Sequence, residues 1–419
     1  MTEAKGPPNA TPRSRTDPTK TLEDLEPLLA GLEGSRSDHV AGVHAESNRV
    51  LRIPTKAAVV REPSGAFHLE NIEIVDPHED EVLVRIAGAG ICHTDLVARD
   101  QLVPTPLPAV FGHEGAGVVE WVGPRVTRVR QGDHVVLSWT YCSRCAACRA
   151  GQYAYCESFF PINIANGSRP DGSATLRAGD EVVHGHFFGQ SSFAHMTIAN
   201  ERSVVPVRDD VPIEILAPLG CGVMTGAGAV MNALRPRPGD SIAVFGAGTV
   251  GMSAILAAVI CGCRPIIAVD TQAWRLEVAR ELGATHTVNA AEADPVATIL
   301  EITRRGADFS LECVGNPRVL RQAVDVLPRR GVCGLLGVVA SGTEVRLDMD
   351  LIMNGRSVKG IIEGDAVPDL FIPRLVDLYA AGRFPFTKLI RFYAFDDINE
   401  AIDDMERGRV IKPVLRPED

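Results

Sequence analysis

Ser241 to Cys263 reads SIAVFGAGTVGMSAILAAVICGC. An apolar strand, SIAVF, runs into Gly246-Ala247-Gly248-Thr249-Val250-Gly251, and an apolar helix follows. The glycine spacing G-x-G-x-x-G is weak evidence alone and specific in this setting. Gly246 allows a tight turn, Gly248 lets a pyrophosphate approach the backbone, and Gly251 lets strand and helix pack closely. The helix N-terminus then offers amide donors to phosphate. Asp270 lies nineteen residues beyond Gly251, at the end of the next apolar strand, IIAV. A carboxylate there accepts from the ribose hydroxyls and repels a 2′-phosphate, which points to NAD. Arg275, five residues on, is an adenosine-side candidate and keeps NADP in play.

Working outward, strand and helix patterns alternate: PIIAVDTQAWRLEVARELGA, THTVN, PVATILEITRR, ADFSLECVG, PRVLRQAVDVLPRR, GVCGLLGVV. That alternation predicts a doubly wound parallel sheet over 222–361. Upstream, short β-branched runs such as KAAVV, EVLVRIAGAG, AGVVEWVG and VVPV are broken by Gly, Pro and Asp. They predict a β-rich, partly open barrel over 53–221. The fold class is therefore α/β with two domains. The segment 362–419 mixes short helices with a last strand, IKPVL, and is expected to return to the β-rich domain. Residues 1–52 are rich in Pro, Ser, Thr and charge and are expected to be a disordered extension with at most one short helix near Leu22–Gly34.

The chain has 419 residues, 45% hydrophobic and 23% charged, with a net charge of -11. That balance argues against a nucleic-acid or anionic-membrane partner. No run of eighteen apolar residues predicts a membrane span, and the first twenty residues lack the apolar core of a secretory signal. Their arginines and threonines are compatible with a transit peptide, but Glu23, Asp24 and Glu26 argue against one. A reducing, cytoplasmic setting is expected, where ten cysteines read as ligands or core thiols.

Four of them, Cys142, Cys145, Cys148 and Cys156, follow C-x2-C-x2-C-x7-C in YCSRCAACRAGQYAYC. Four clustered thiolates suit a closed tetrahedral zinc site, which is structural; an iron–sulfur cluster is the competing reading. A second, scattered set comprises Cys92 in GICHTDL, His113 and Glu114 in GHEGAGVV, and Cys221 in LGCGVMTGAG. Two thiolates and an imidazole suit zinc with an open fourth position, although each fragment alone could be a core residue. The remaining Cys261, Cys263, Cys313 and Cys333 read as core thiols, and His184, His186 and His195 as hydrogen-bonded polar histidines.

The stretches GAGICHTDL, FGHEGAGVVEWVG, the four-cysteine loop, PLGCGVMTGAGAV, VFGAGTVG and VIKPVL occur in the order found in the zinc-dependent medium-chain alcohol dehydrogenases. The chain resembles that family from about Lys56 to Leu415, and GHFFGQSSFA and VPDLFIPRLVDLYAAGRFPF are most similar to its aryl (benzyl) alcohol branch. The resemblance implies a GroES-like catalytic domain, a Rossmann domain, and two zinc ions per chain. Cys92, His113 and Cys221 would be the catalytic ligands, with Glu114 beside the metal and Asp95 fixing the His113 tautomer. Thr94 would take the substrate proton. Val250 and Thr225 would lie against the nicotinamide, with His93 and Lys412 near the pyrophosphate. Ser138 and Trp139 would wall the substrate pocket. Many relatives carry a relay histidine where this chain has Val97.

The expected activity is NAD-linked oxidation of an aryl or allylic primary alcohol to its aldehyde. A thiol-adduct or short aliphatic alcohol dehydrogenase is the alternative, and a non-catalytic zinc and nucleotide module the remote one. The resemblance further implies a homo-oligomer, dimer or tetramer, built by sheet extension.

Overall fold

The computed structural model describes residues 51–417. The expectation of a disordered extension over 1–52 falls almost wholly outside them. Arg52 is an exception: it begins the first strand, Arg52–Val60, where it pairs with Val75.

The glycine-rich turn sits in a six-stranded sheet, all parallel. Its order is His286–Asn289, Ile266–Asp270, Ile242–Phe245, Phe309–Glu312, Val332–Leu335 and Ser357–Gly360. Parallel strands are joined by helical crossovers, so both faces are covered and the strands read as continuous apolar runs. In Ile242–Phe245, Ile242 and Val244 join the large core cluster, and Ala243 and Phe245 join a second cluster on the opposite face. Helix Thr249–Cys261 packs on the first of these faces, and most of its residues are buried.

The β-rich part holds two sheets. One has the order Ala109–Val110, Arg52–Val60, His68–Val75, Leu176–Ala178 and Glu181–Val183. The other runs Val204–Pro206, His134–Leu137, Gly115–Val122, Glu81–Gly90, Lys412–Arg416 and Ile390–Ala394. The last strand of the chain thus lies beside Glu81–Gly90, with Val414 opposite Gly90 and Leu415 opposite Ala89. This pairing brings the last strand of the chain to the strand end that precedes Cys92. Among the described residues no single helix is long and apolar enough to cross a membrane.

The three clustered histidines differ from expectation. His184 and His186 each leave Nδ1 buried without a partner, and His195 leaves Nε2 so. His186 is buried beside the internal ion pair of Arg169 with Glu81, 2.7 Å apart. Burial brings its pKa down from 6.5 to about 4, with Arg169 adding to the effect. The folded state therefore holds no proton on His186 at pH values where the unfolded chain already binds one. Stability is full above about pH 6.5 and falls as pH drops toward about 4, by at most about 3 kcal/mol from this group. His186→Gln is expected to flatten the acid side of a plot of melting temperature against pH between those values.

Candidate active site

Cys92 ends the strand-to-helix turn before helix His93–Arg99. Its amide donates to Asp95 Oδ2 at 2.9 Å, which fixes the first turn of that short helix. The other Asp95 oxygen takes His113 Nδ1 at 2.7 Å and the Gly112 amide at 3.2 Å. One carboxylate therefore sets both the position of Cys92 and the tautomer of His113. The opposite ring nitrogen, His113 Nε2, is buried and has no protein partner. Ligand atoms of Cys92, His113, Glu114 and Cys221 all lie within 4.8 Å of one another. An orphaned buried imidazole nitrogen facing two thiols fits a zinc ion, because burial without a partner is otherwise costly.

Electrostatics tie the set together. Glu114 and Lys412 form a buried ion pair, 2.8 and 3.0 Å from Nζ to the two oxygens. Glu114 Oε1 also accepts from the Gly222 amide at 3.0 Å, and Lys412 donates to the Ile91 carbonyl at 2.8 Å. Burial raises the Glu114 carboxyl to about 7, against the pull of Lys412. Burial works against the Lys412 ammonium, but Glu114, Cys92 and Cys221 together outweigh it and the pKa stays raised. Without metal, the Cys92 thiol is held well below its ordinary value, by Cys221 first and then by Lys412 and His113. Gly90 makes the arrangement possible: a Cβ there would lie 2.1 Å from Glu114 Oε2.

The dinucleotide turn follows the spacing argument. Gly246 has φ +96°, and a Cβ on Gly251 would lie 1.8 Å from the Gly246 carbonyl oxygen. A Cβ on Gly248 would meet nothing within 4 Å, so the second glycine opens onto free space. That space is a cleft of about 550 Å³ lined by Gly246, Gly248, Val250, Asp270, Arg275 and, at its inner end, Cys92. His93 and Lys412 line it as well, although the Lys412 ammonium is already engaged by Glu114. Asp270 accepts from the amides of Ala247 and Gln272, 2.7 and 2.8 Å. Its carboxylate therefore braces the glycine turn in addition to facing the cleft.

The four-cysteine loop forms a small separate cluster with Tyr141, Tyr153 and Phe159. Amides aim at its sulfurs: Cys145 N to Cys142 Sγ at 3.4 Å, Cys148 N to Cys145 Sγ at 3.5 Å, Cys142 N to Cys156 Sγ at 3.4 Å. Such donors stabilise thiolates, and the four ligand atoms again lie within 4.8 Å. All four positions are protein thiols, so a tetrahedral ion there has no site for substrate.

Thr94 Oγ1 is 3.8 Å from Cys92 Sγ. Ser138 is fully buried and donates to the Gly220 carbonyl at 3.1 Å. Trp139 is a core residue: its ring packs 6.5 Å from Phe159, and its Nε1 has no partner. Several residues at the site escaped the sequence reading. Phe188, with a left-handed φ of 50°, stacks on the His113 ring at 4.6 Å. Glu363 is buried, 3.1 Å from Thr225 Oγ1 and 3.7 Å from Cys221 Sγ, and burial raises it to about 7. Cys313 is not a simple core thiol, because it lines the dinucleotide cleft. Only the repeated phenylalanines of HFFGQ hinted at one of these.

A metal-donor set at the inner end of a dinucleotide cleft defines a two-domain dehydrogenase. Family models agree: residues 78–209 match the alcohol dehydrogenase GroES-like domain and residues 249–381 the zinc-binding dehydrogenase. The chain is 45% identical over 365 residues to geraniol dehydrogenase of Castellaniella defragrans, covering 87% of this chain and 98% of that protein. It superposes on the crystal structure of benzyl alcohol dehydrogenase from Acinetobacter calcoaceticus with a TM-score of 0.84. Identity there is 47%, over 87% of this chain and all of that one. A zinc-binding alcohol dehydrogenase domain protein from Burkholderia ambifaria gives a TM-score of 0.86 at 49% identity, over 88% of this chain and 100% of that one. The chain belongs to the zinc-dependent medium-chain alcohol dehydrogenase family.

Asp95→Ala is expected to weaken zinc at the Cys92–His113–Cys221 set about 10- to 100-fold, measured by chelator competition. In Cys145→Ala, by contrast, melting temperature and assembly are expected to fall first.

Proposed function

We infer that this alcohol dehydrogenase uses NAD, holds one catalytic and one structural zinc, and oxidises aryl or allylic primary alcohols to aldehydes. The observation that carries the reading is that Cys92 belongs both to the donor set and to the inner wall of the dinucleotide cleft. Zinc bound there would polarise the alcohol oxygen, and the nicotinamide would take the hydride. The chain supplies placement and proton handling. Asp95 holds His113 for the metal, and the Glu114–Lys412 pair fixes the base of the site. Thr94, beside Cys92, accepts the proton that the alcohol gives up.

Val97 sits one turn beyond His93 on the same helix and carries no titratable group. Proton exit therefore runs from Thr94 to the ribose and then to water past the exposed His93. For substrate class, the support is the cluster of rings beside the donor set, where Phe188 stacks on His113 at 4.6 Å and meets Phe159 and Phe187 edge to face at 6.1 and 5.0 Å. Rings next to the metal-donor set favour flat unsaturated groups. The named relatives, a geraniol and a benzyl alcohol dehydrogenase, act in the same direction. For coenzyme, the support is Asp270 at the end of its strand; Arg275, whose Nε is buried without a partner, keeps NADP as the second reading. Sheet extension into a homo-oligomer through the edge strand Ser357–Gly360, a cytoplasmic location, and the absence of nucleic-acid or membrane partners complete the proposal.

Steady-state assays of benzyl alcohol, geraniol, ethanol and a thiol–formaldehyde adduct, each with NAD and NADP, test it. With NAD, kcat/KM for the first two is expected to exceed ethanol by more than about tenfold, a difference of about 1.4 kcal/mol. A preference for the adduct would move the chain to the alternative substrate class. Thr94→Ala is expected to lower kcat about 10²- to 10⁴-fold, with Thr94→Ser restoring most of it.

A further inference from the structure

Glu363 is a buried carboxylate that the proton and metal chemistry above does not use. Its Oε2 accepts the Thr225 hydroxyl at 3.1 Å, and its Oε1 lies 3.7 Å from Cys221 Sγ. Cys221 and Thr225 are one helical turn apart, joined by the Thr225 amide to the Cys221 carbonyl at 2.8 Å. The carboxylate thus grips one face of helix Gly222–Gly228 at its N-terminal end. A neighbouring side of that helix is packed against the dinucleotide-binding helix: a Cβ on Gly226 would lie 2.0 Å from the Val250 carbonyl oxygen.

The backbone that carries Glu363 is costly and well held. Glu363, Gly364 and Asp365 have φ of 49°, 67° and 49°, three successive left-handed residues, two of them with side chains. Such non-glycine residues are strained and persist only where their surroundings over-determine them. Here they do. A Cβ on Gly364 would lie 2.7 Å from the Met224 carbonyl oxygen and 2.8 Å from Gly228 Cα. From the other side Asp365 takes the Tyr155 hydroxyl at 2.5 Å and the Lys359 ammonium at 2.7 Å. Tyr155 directly precedes Cys156 of the four-cysteine loop.

We propose that Glu363 is a positioning residue for the nicotinamide end of the coenzyme, acting through Thr225 on the helix whose first residue, Gly222, lines the cleft beside Cys92, and that the turn carrying it is braced by Tyr155 of the four-cysteine lobe. The proposal rests on the dinucleotide reading above. It assigns nothing to the adenosine half of the cleft, where Asp270 and Arg275 lie.

The test compares dissociation constants of NADH, NADPH and ADP-ribose for the zinc-loaded wild type, Glu363→Ala, Glu363→Gln, Thr225→Ala and the Glu363→Ala/Thr225→Ala double variant. For whichever reduced coenzyme the wild type prefers, Glu363→Ala is expected to weaken binding about tenfold and ADP-ribose less than about twofold. Glu363→Gln, which keeps a partner for Thr225, stays within about threefold of wild type, and the double variant is no weaker than Thr225→Ala alone. Equal losses for coenzyme and ADP-ribose would reveal a general structural role and overturn the proposal. So would an unchanged coenzyme affinity, or losses that simply add. If Glu363→Ala does not fold, Thr225→Ala must show the same split between coenzyme and ADP-ribose, and a lack of it overturns the proposal equally. A wild type that binds neither NADH nor NADPH would remove the dinucleotide reading itself, and this role with it.

Discussion

The buried pair between Glu114 and Lys412 is the interaction on which the rest of the site depends. Taking two charges out of water is expensive, and their attraction offsets that only with good geometry and further hydrogen bonds. Both conditions are met: the pair is 2.8 Å apart, Glu114 also holds the Gly222 amide, and Lys412 also holds the Ile91 carbonyl. Three segments remote in sequence are fixed at one point. They are the residue after His113, the first residue of the last strand, and the start of the helix after Cys221. Ile91 places Cys92 against the same point. The pair therefore acts as the keystone between the β-rich sheet and the dinucleotide-binding unit.

Around it the two donor sets divide the work. The four-cysteine loop has its own small cluster of rings and sulfurs, and a closed ion there would add stability that so small a cluster lacks. The Cys92–His113–Cys221 set is embedded in the main core, oriented by Asp95, and opens onto the coenzyme cleft. Metal in the first would hold a shape. Metal in the second would stand where substrate and nicotinamide can meet, because Cys92 also lines the cleft.

What was legible in the residues alone depended on how local the signal was. The turn at Gly246–Gly251 and the loop at Cys142–Cys156 are complete within sixteen residues or fewer, so spacing and flanking apolar runs suffice. Cys92, His113 and Cys221 are separated by 21 and then 108 residues (113 − 92, 221 − 113), and family resemblance joined them where periodicity could not. Glu363 was silent, and Phe188 was hinted at only by the repeat in HFFGQ, for a different reason. Each reaches the site through a left-handed backbone that no composition rule marks. Trp139 is buried with its ring toward Phe159, and a position on a strand does not by itself say which groups share its surroundings. The histidines near Gly185 were expected to be hydrogen-bonded, and the packing that leaves their nitrogens without partners is a tertiary property.

The central claim is that catalysis resides at Cys92, His113 and Cys221 and not at the four-cysteine loop. It is tested most directly by counting zinc in purified Cys92→Ala while following coenzyme reduction with benzyl alcohol and geraniol. The account predicts a folded protein holding one zinc per chain, where the wild type holds two, with no detectable oxidation of either alcohol. Turnover at the wild-type rate in a protein that has lost that one zinc would contradict it.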